Sequence, residues 1–310
     1  MSLVARRNCH NIKMHRLRKS LEMFRACVRM GLRKRATVKV AGTNYACRVV
    51  RSAERSADSV RIVIVSILPN QAAVDLVRLC IRSVIKYTDR PYEIWVVDNN
   101  SNPVYIEKLM KDNKVNYLLI RDDPGSGSYA NGVALEAAFL QFPTDTRYCM
   151  TLHMDTILCH GQWLSYLMSK LNGKTKAVGV RMDAVRTPAG VVHILGCLFD
   201  FQEFRRLRVS VMPELPKYDV GDQITVAFRN AGYEVIACRN THTNPELEGA
   251  LLAGTDFDSL GFDRALDDEN NVLFMHLGRG SQKVLSKNAD EGSLEKWIRF
   301  AKEKLQLDPY

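Results

Sequence analysis

Four apolar runs at regular intervals constrain this chain most. VRIVIVSIL begins at Val60, YEIWVVD ends at Asp98, VNYLLIR ends at Arg121, and Tyr148–Leu152 completes the set. Between them lie stretches of helical spacing: Val74, Val77, Ile81, Val84 and Ile85, a short one around Ile106–Lys111, and another over Tyr129–Phe139. Runs that are apolar throughout, instead of alternating, suit strands buried on both faces of a parallel sheet. Short connections and right-handed crossovers then predict an α/β, Rossmann-like, mostly parallel sheet flanked by helices. After Asp155 the pattern changes. A helix is expected over Gln162–Leu171, a strand over Lys176–Arg181, and a β-like stretch punctuated by Gly and Pro over Thr187–Phe201. Helical spacing returns at Asp219–Ala231, Tyr233–Cys238 and VLFMHLG read as strands, and a helix over Leu294–Leu305 closes the chain.

Charge divides the chain unevenly. Residues 1–57 carry 15 Lys/Arg against 2 Glu, which is +13, so a total of +10 leaves −3 for the other 253 residues. The basicity therefore belongs to an N-terminal extension (1–57), ahead of a main domain (60–285) and a C-terminal helix packed on it (286–310). Within the extension, Ile12, Leu17, Leu21, Phe24, Val28 and Leu32 recur at helical spacing, interleaved with Arg16, Lys19, Arg25, Arg29 and Arg33. Such a helix docks on its own protein or on an anionic membrane surface, and both readings stay open. Thr37–Val50 reads as a hairpin about Ala-Gly-Thr-Asn, and Arg51–Ser59 as a linker. The eight Cys form no C-x-x-C pair, as expected of reduced, buried thiols in a cytoplasmic protein and against a zinc site. No apolar run is long enough to span a bilayer, and Arg6 and Arg7 lack the hydrophobic region of a secretory signal.

The strand ends carry the chemistry. In an open α/β sheet, ligands sit outside the carboxyl ends of the strands, so Asp98 and Asp155 are expected to converge on one crevice. Ser66 ends the first run, and Asp98 with Asn100 ends the second, placing short polar groups where a base or ribose needs acceptors. Arg121 ends the third, followed by Pro124-Gly125-Ser126-Gly127-Ser128 and a helix through Ala130-Asn131-Gly132, where backbone can approach a ligand closely. His153-Met154-Asp155 follows the fourth, and an imidazole beside a carboxylate suits a divalent cation that also holds diphosphate oxygens. A Walker A loop is absent from the sequence. Taken singly, Asp98 and Asp155 read better as turn or capping residues, and it is the pair at two strand ends that points to a nucleotide and metal site.

The ordered set VIVSILPN, WVVDNNSNP, GSGSYANGVALEAA, LHMDTILCHGQWL, YDVGDQITVAFRNAGYEV and MHLGRGS resembles the family-2 glycosyltransferases of GT-A fold, over about Val60 to Ser281. The resemblance implies a nucleotide-sugar donor (a UDP-, GDP- or dTDP-sugar), Mn²⁺ or Mg²⁺ as cofactor, and transfer with inversion to a glycan, lipid-linked or protein acceptor, as in polysaccharide biosynthesis. It implies that Ser66, Asp98, Asn100, Arg121, Asn131 and His153 bind the donor. Asp155, His153 and His276 are implied as metal ligands, with His153 standing where the family usually has an Asp. The base is implied to be Asp222 or Asp219, with Asp222 preferred, although each also reads as a helix-start residue. His276 sits among apolar neighbours and has a core reading beside the ligand one, whereas His160 and His193 are read as structural. Two other functions compete. A nucleotidyltransferase requires a basic, Gly-rich signature near the first strand, and SILPNQ has none. A non-catalytic GT-A-like scaffold would use the basic extension to grip anionic membrane; nucleic acid is the less favoured partner.

Overall fold

The computed structural model describes residues 36–51, 58–111, 115–184, 187, 189–258, 260–278, 280 and 291–309. The expected basic helix over residues 11–35, most of the linker, and Arg279 and Ser281 lie outside the described residues. A hairpin comes first, β1 (Ala36–Val40) and β2 (Thr43–Val50). The four predicted strands follow as β3 (Val60–Ser66), β4 (Tyr92–Asn99), β5 (Val115–Ile120) and β6 (Tyr148–His153). They alternate with α1 (Gln71–Tyr87), α2 (Pro103–Leu109) and α3 (Gly127–Phe139). Asn70 and Asn102 start the first two helices by accepting from the Ala73 and Val104 amides, and Pro103 occupies the first turn of α2.

The pattern after Asp155 resolves into smaller pieces. These are β7 (Thr156–Leu158), α4 (Trp163–Lys170), β8 (Thr175–Gly179), β9 (Met182–Asp183), β10 (Val191–Val192) and β11 (Gly196–Asp200). Next come α5 (Phe201–Arg206), α6 (Asp222–Asn230), β12 (Glu234–Ala237), β13 (Arg239–Asn240), a π-helical turn (Glu248–Leu252), β14 (Asp263–Leu266), β15 (Val272–His276) and α7 (Glu291–Glu303).

Nine strands form one sheet in the order β1-β2-β5-β4-β3-β6-β11-β8-β12. The core β5-β4-β3-β6 is parallel, and the order places a topological switch beside β3, with β4 on one side and β6 on the other. Two strands run against the rest, β2 at one flank and β11 between β6 and β8. The sheet is thus mostly parallel, as expected, with the β-like stretch supplying the antiparallel insert. Residues 36–50 do not stand apart from the body: β2 pairs with β5, so the hairpin is the outer edge of this sheet. VLFMHLG does not join it either. Its β15 belongs to a four-stranded antiparallel sheet, β13-β14-β15-β7.

Period-two alternation fills both faces. Ile62, Ile64, Ile94, Val96, Tyr117, Leu119, Met150 and Leu152 point into one core with α1, α2, α4 and α7. Val63, Trp95, Val97, Leu118, Ile120 and Cys149 point into the other, against α3, α5 and α6. One charge pair interrupts the second face, where buried Arg61 meets Glu93 at 3.1 Å and donates to Ser59 O at 2.8 Å. Losing either partner there would strand a buried charge. The six described cysteines are free. Among the described residues no helix is long and apolar enough to cross a membrane.

Candidate active site and cation cluster

Strand register assembles the site. β3 pairs with β4 so that Ser66 lies opposite Asp98, and with β6 so that Val65 lies opposite His153. Asp98 and His153 therefore end strands on either side of β3, two strand spacings or about 10 Å apart. The chain turns at Met154-Asp155 into β7, whose pairing with β15 sets Thr156 opposite His276. β15 in turn pairs with β14, setting His276 opposite Asp263. Ligand atoms of His153, Asp155 and His276 consequently lie within 4.8 Å of one another.

Asp155 is the centre of this cluster. His276 Nε2 is 3.5 Å from Oδ2 and His153 Nδ1 is 3.9 Å from Oδ1, while the Gly280 amide donates to Oδ2 at 2.8 Å. Burial alone would raise its pKa, but the two imidazoles and the Gly280 amide outweigh that and hold the carboxyl well below the usual range. Burial, helped by the charges of His276 and Arg181, lowers His153 to about 4, so its ring is neutral at pH 7. His276 goes the other way. Burial opposes the charged ring, yet Asp155 and Asp263 raise it to about 9. Nε2 of His153 and Nε2 of His276 are both buried without a hydrogen-bond partner. His153 Nδ1 and His276 Nε2 around the ionised Asp155 carboxylate make a donor set that fits a divalent cation.

The sign of the His276 shift gives an expected result. Its folded pKa of about 9 exceeds the ordinary histidine value of 6.5, so the bound proton stabilises the cation-free fold. That contribution is complete below pH 6.5 and is lost as pH rises through about 9. Thermal unfolding in chelator is expected to show falling stability across this window, and His276→Gln to flatten the fall. Cation binding competes with the same proton, so Mn²⁺ affinity is expected to rise over the same interval.

The neighbouring strand ends form a second group. Asp98 is fully buried; Oδ2 accepts from the Ser101 amide at 3.1 Å, and Oδ1 has no partner. Burial raises its pKa to about 6, against the hydrogen bonds from Ser101 and the charge of Arg121. Ser101 Oγ accepts from Leu68 N at 2.7 Å, tying the β3 and β4 exits together. Arg121 follows β5; its amide donates to Ala46 O at 2.8 Å, and its buried Nη1 is unpartnered. Asn131 is half-buried in the first turns of α3, where Asn99 Nδ2 donates to Ala130 O at 3.1 Å. Asn100 is exposed, with φ of 53°.

Asp98 and Asp222 do not join Asp155 around one cation. The β7–β15 pairing brings His276 to Asp155 beside His153, the three residues that the resemblance implied as ligands. Asp222 is buried at the start of α6 and accepts from the Asp219 amide at 2.7 Å. Asp219 is half-buried, accepts from Val220 N at 2.7 Å, and its charge acts on His153. Gly221 between them has φ of +81°, and a Cβ there would meet Ile194 Cγ2 at 1.8 Å. Only glycine lets this turn press against the residue that follows His193. Sequence reasoning missed Asp263, which faces His276, and gave His193 no part. The His193 ring packs edge-on to His153 with centroids 5.4 Å apart.

No protein-family model matches the sequence, and no curated protein does either. Among solved structures the chain is similar to a mannosyltransferase from Pyrobaculum calidifontis in complex with GDP-Man and Mn²⁺. Identity is 16% over 70% of this chain and 61% of that one, with a TM-score of 0.44, so the match spans less than two thirds of the mannosyltransferase. It is also similar to the galactosyltransferase LgtC with donor and acceptor sugar analogues, at 13% identity over 78% of this chain and 95% of that one, TM-score 0.45. A third is 4-diphosphocytidyl-2C-methyl-D-erythritol synthase from Anaerococcus prevotii, at 11% identity over 59% and 89%, TM-score 0.40.

Proposed function

We propose that this chain is a cation-dependent glycosyltransferase that moves a sugar from a nucleotide-sugar to an acceptor hydroxyl with inversion. One observation carries the reading. Asp98 and His153 end parallel strands on either side of β3 at the same edge of the large sheet, and Asp155 and His276 gather beside His153 there, so one diphosphate-bearing ligand could engage both groups. Ser66, Asp98 and Asn131 offer acceptors and donors to base and ribose, and Arg121 supplies a cation beside them. His153, Asp155 and His276 would hold Mn²⁺ or Mg²⁺, which neutralises charge growing on the departing diphosphate. Departure leaves positive charge at the anomeric carbon, as in glycoside hydrolysis, and the acceptor proton requires a carboxylate. Of the two candidates, Asp219 is the better placed, because it is partly exposed and lies near His153, whereas Asp222 is buried as a brace for the turn.

Nucleotide release from a set of UDP-, GDP- and dTDP-sugars tests the reading, and proton NMR of the first product tests inversion. Asp219→Asn is expected to lower turnover about 10²–10⁴-fold with unchanged nucleotide affinity. Loss of turnover in Asp222→Asn alone, in a folded protein, moves the role to Asp222. The +13 N-terminal segment supports a peripheral membrane position and hence a lipid-linked acceptor, and the free thiols support a cytoplasmic setting.

A further inference from the structure

The two ring nitrogens of His276 have different surroundings. Nε2 faces Asp155, is buried and makes no hydrogen bond. Nδ1 lies 3.5 Å from Asp263 Oδ2. The β14–β15 register places Asp263 directly opposite His276, so this contact is built into the small sheet. Asp263 is itself held from two other sides. Arg181 Nη1 donates to its Oδ2 at 3.2 Å, and His242 Nδ1 lies 3.4 Å from Oδ1. Arg181 follows β8, so this ion pair also ties the large sheet to the small one at the level of the cluster.

A neutral imidazole has two tautomers, and only the one protonated on Nδ1 leaves a lone pair on Nε2. An acceptor fixed at Nδ1 selects that tautomer, sets the ring's rotation, and makes the other nitrogen more basic. We propose that Asp263 is the positioning residue of the cation site, taking the Nδ1–H of His276 so that Nε2 completes the donor set with His153 and Asp155. The inference rests on the reading of those three residues as a cation site, and it gives work to a carboxylate outside their donor set.

Mn²⁺ binding to the full chain without nucleotide, followed by electron paramagnetic resonance, tests it. Asp263→Asn is isosteric but removes the charge, and is expected to weaken Mn²⁺ about 10–100-fold. His276→Gln is expected to weaken it as well, and the double variant to be no weaker than His276→Gln alone, because Asp263 acts through His276. Affinity within twofold of native in Asp263→Asn, or fully additive losses in the double variant, overturns the proposal. A measurement needing no variant runs beside it: ¹⁵N imidazole spectra of the native chain with diamagnetic Zn²⁺ should place the His276 proton on Nδ1. A proton on Nε2 overturns the proposal even if Asp263→Asn fails to fold. Failure of the glycosyltransferase reading looks different. A chain that binds Mn²⁺ through Asp263-dependent His276 but no nucleoside diphosphate loses that reading and keeps this one.

Discussion

Asp155→Ala is expected to cut cation-dependent sugar transfer by about 10³-fold, equivalent to about 4 kcal/mol of lost transition-state stabilisation. Asp155 is the only carboxylate of the three grouped donors, and both imidazoles orient on it. Without it, His276 loses the larger of the two carboxylate influences that favour its charged ring, His153 stays neutral, and no anionic ligand remains in the group. The fold should survive. The side chain lies in the turn between β6 and β7, outside both apolar cores, and the backbone bond from Leu277 N to Asp155 O is untouched. Turnover and thermal unfolding measured on the same preparation check both halves. Near-native turnover with an unchanged cation requirement contradicts the assignment.

The second large effect is expected from a position with no functional group. A Cβ built on Gly280 would lie 2.4 Å from Asp155 Cβ and 2.7 Å from Oδ2, closer than carbon contacts allow. Asp155 cannot retreat easily, because the β6–β7 turn and its β15 pairing fix its backbone. Either the carboxylate rotates or the chain at 280 moves, and both outcomes break the 2.8 Å bond from the Gly280 amide. Gly280→Ala is therefore expected to weaken Mn²⁺ binding about 10–100-fold, the usual effect of disturbing a ligand's supporting contact. Metal titration of the variant, with unfolding in chelator as the control for stability, checks it. Unchanged affinity would show that the close approach at Gly280 has no bearing on the cation site.

The strands were legible because each carries a strong local signal. VRIVIVSIL and VNYLLI are apolar at most of the positions that the sheet buries, Arg61, Ser66 and Asn116 excepted. His276 was legible only as part of an ordered set of motifs, since nothing local separates it from a core histidine. Its partner Asp263 lies 13 residues earlier across a hairpin, a pairing set by register between short strands with no periodic signal. The same limit hid β7, β13 and β14, which have three, two and four residues. Asp98 ends a strand as predicted, but β3 separates it from the cluster, and strand order is a tertiary fact. The choice between Asp219 and Asp222 turned on burial, which two aspartates three residues apart at a helix start do not announce.

Isothermal titration of the chain with UDP, GDP and dTDP, each with and without Mn²⁺, tests the central claim most directly. The account predicts that at least one nucleoside diphosphate binds in the presence of Mn²⁺, and that its affinity falls at least tenfold when the metal is chelated. Absence of binding by all three with Mn²⁺ present, in a folded protein, would contradict it.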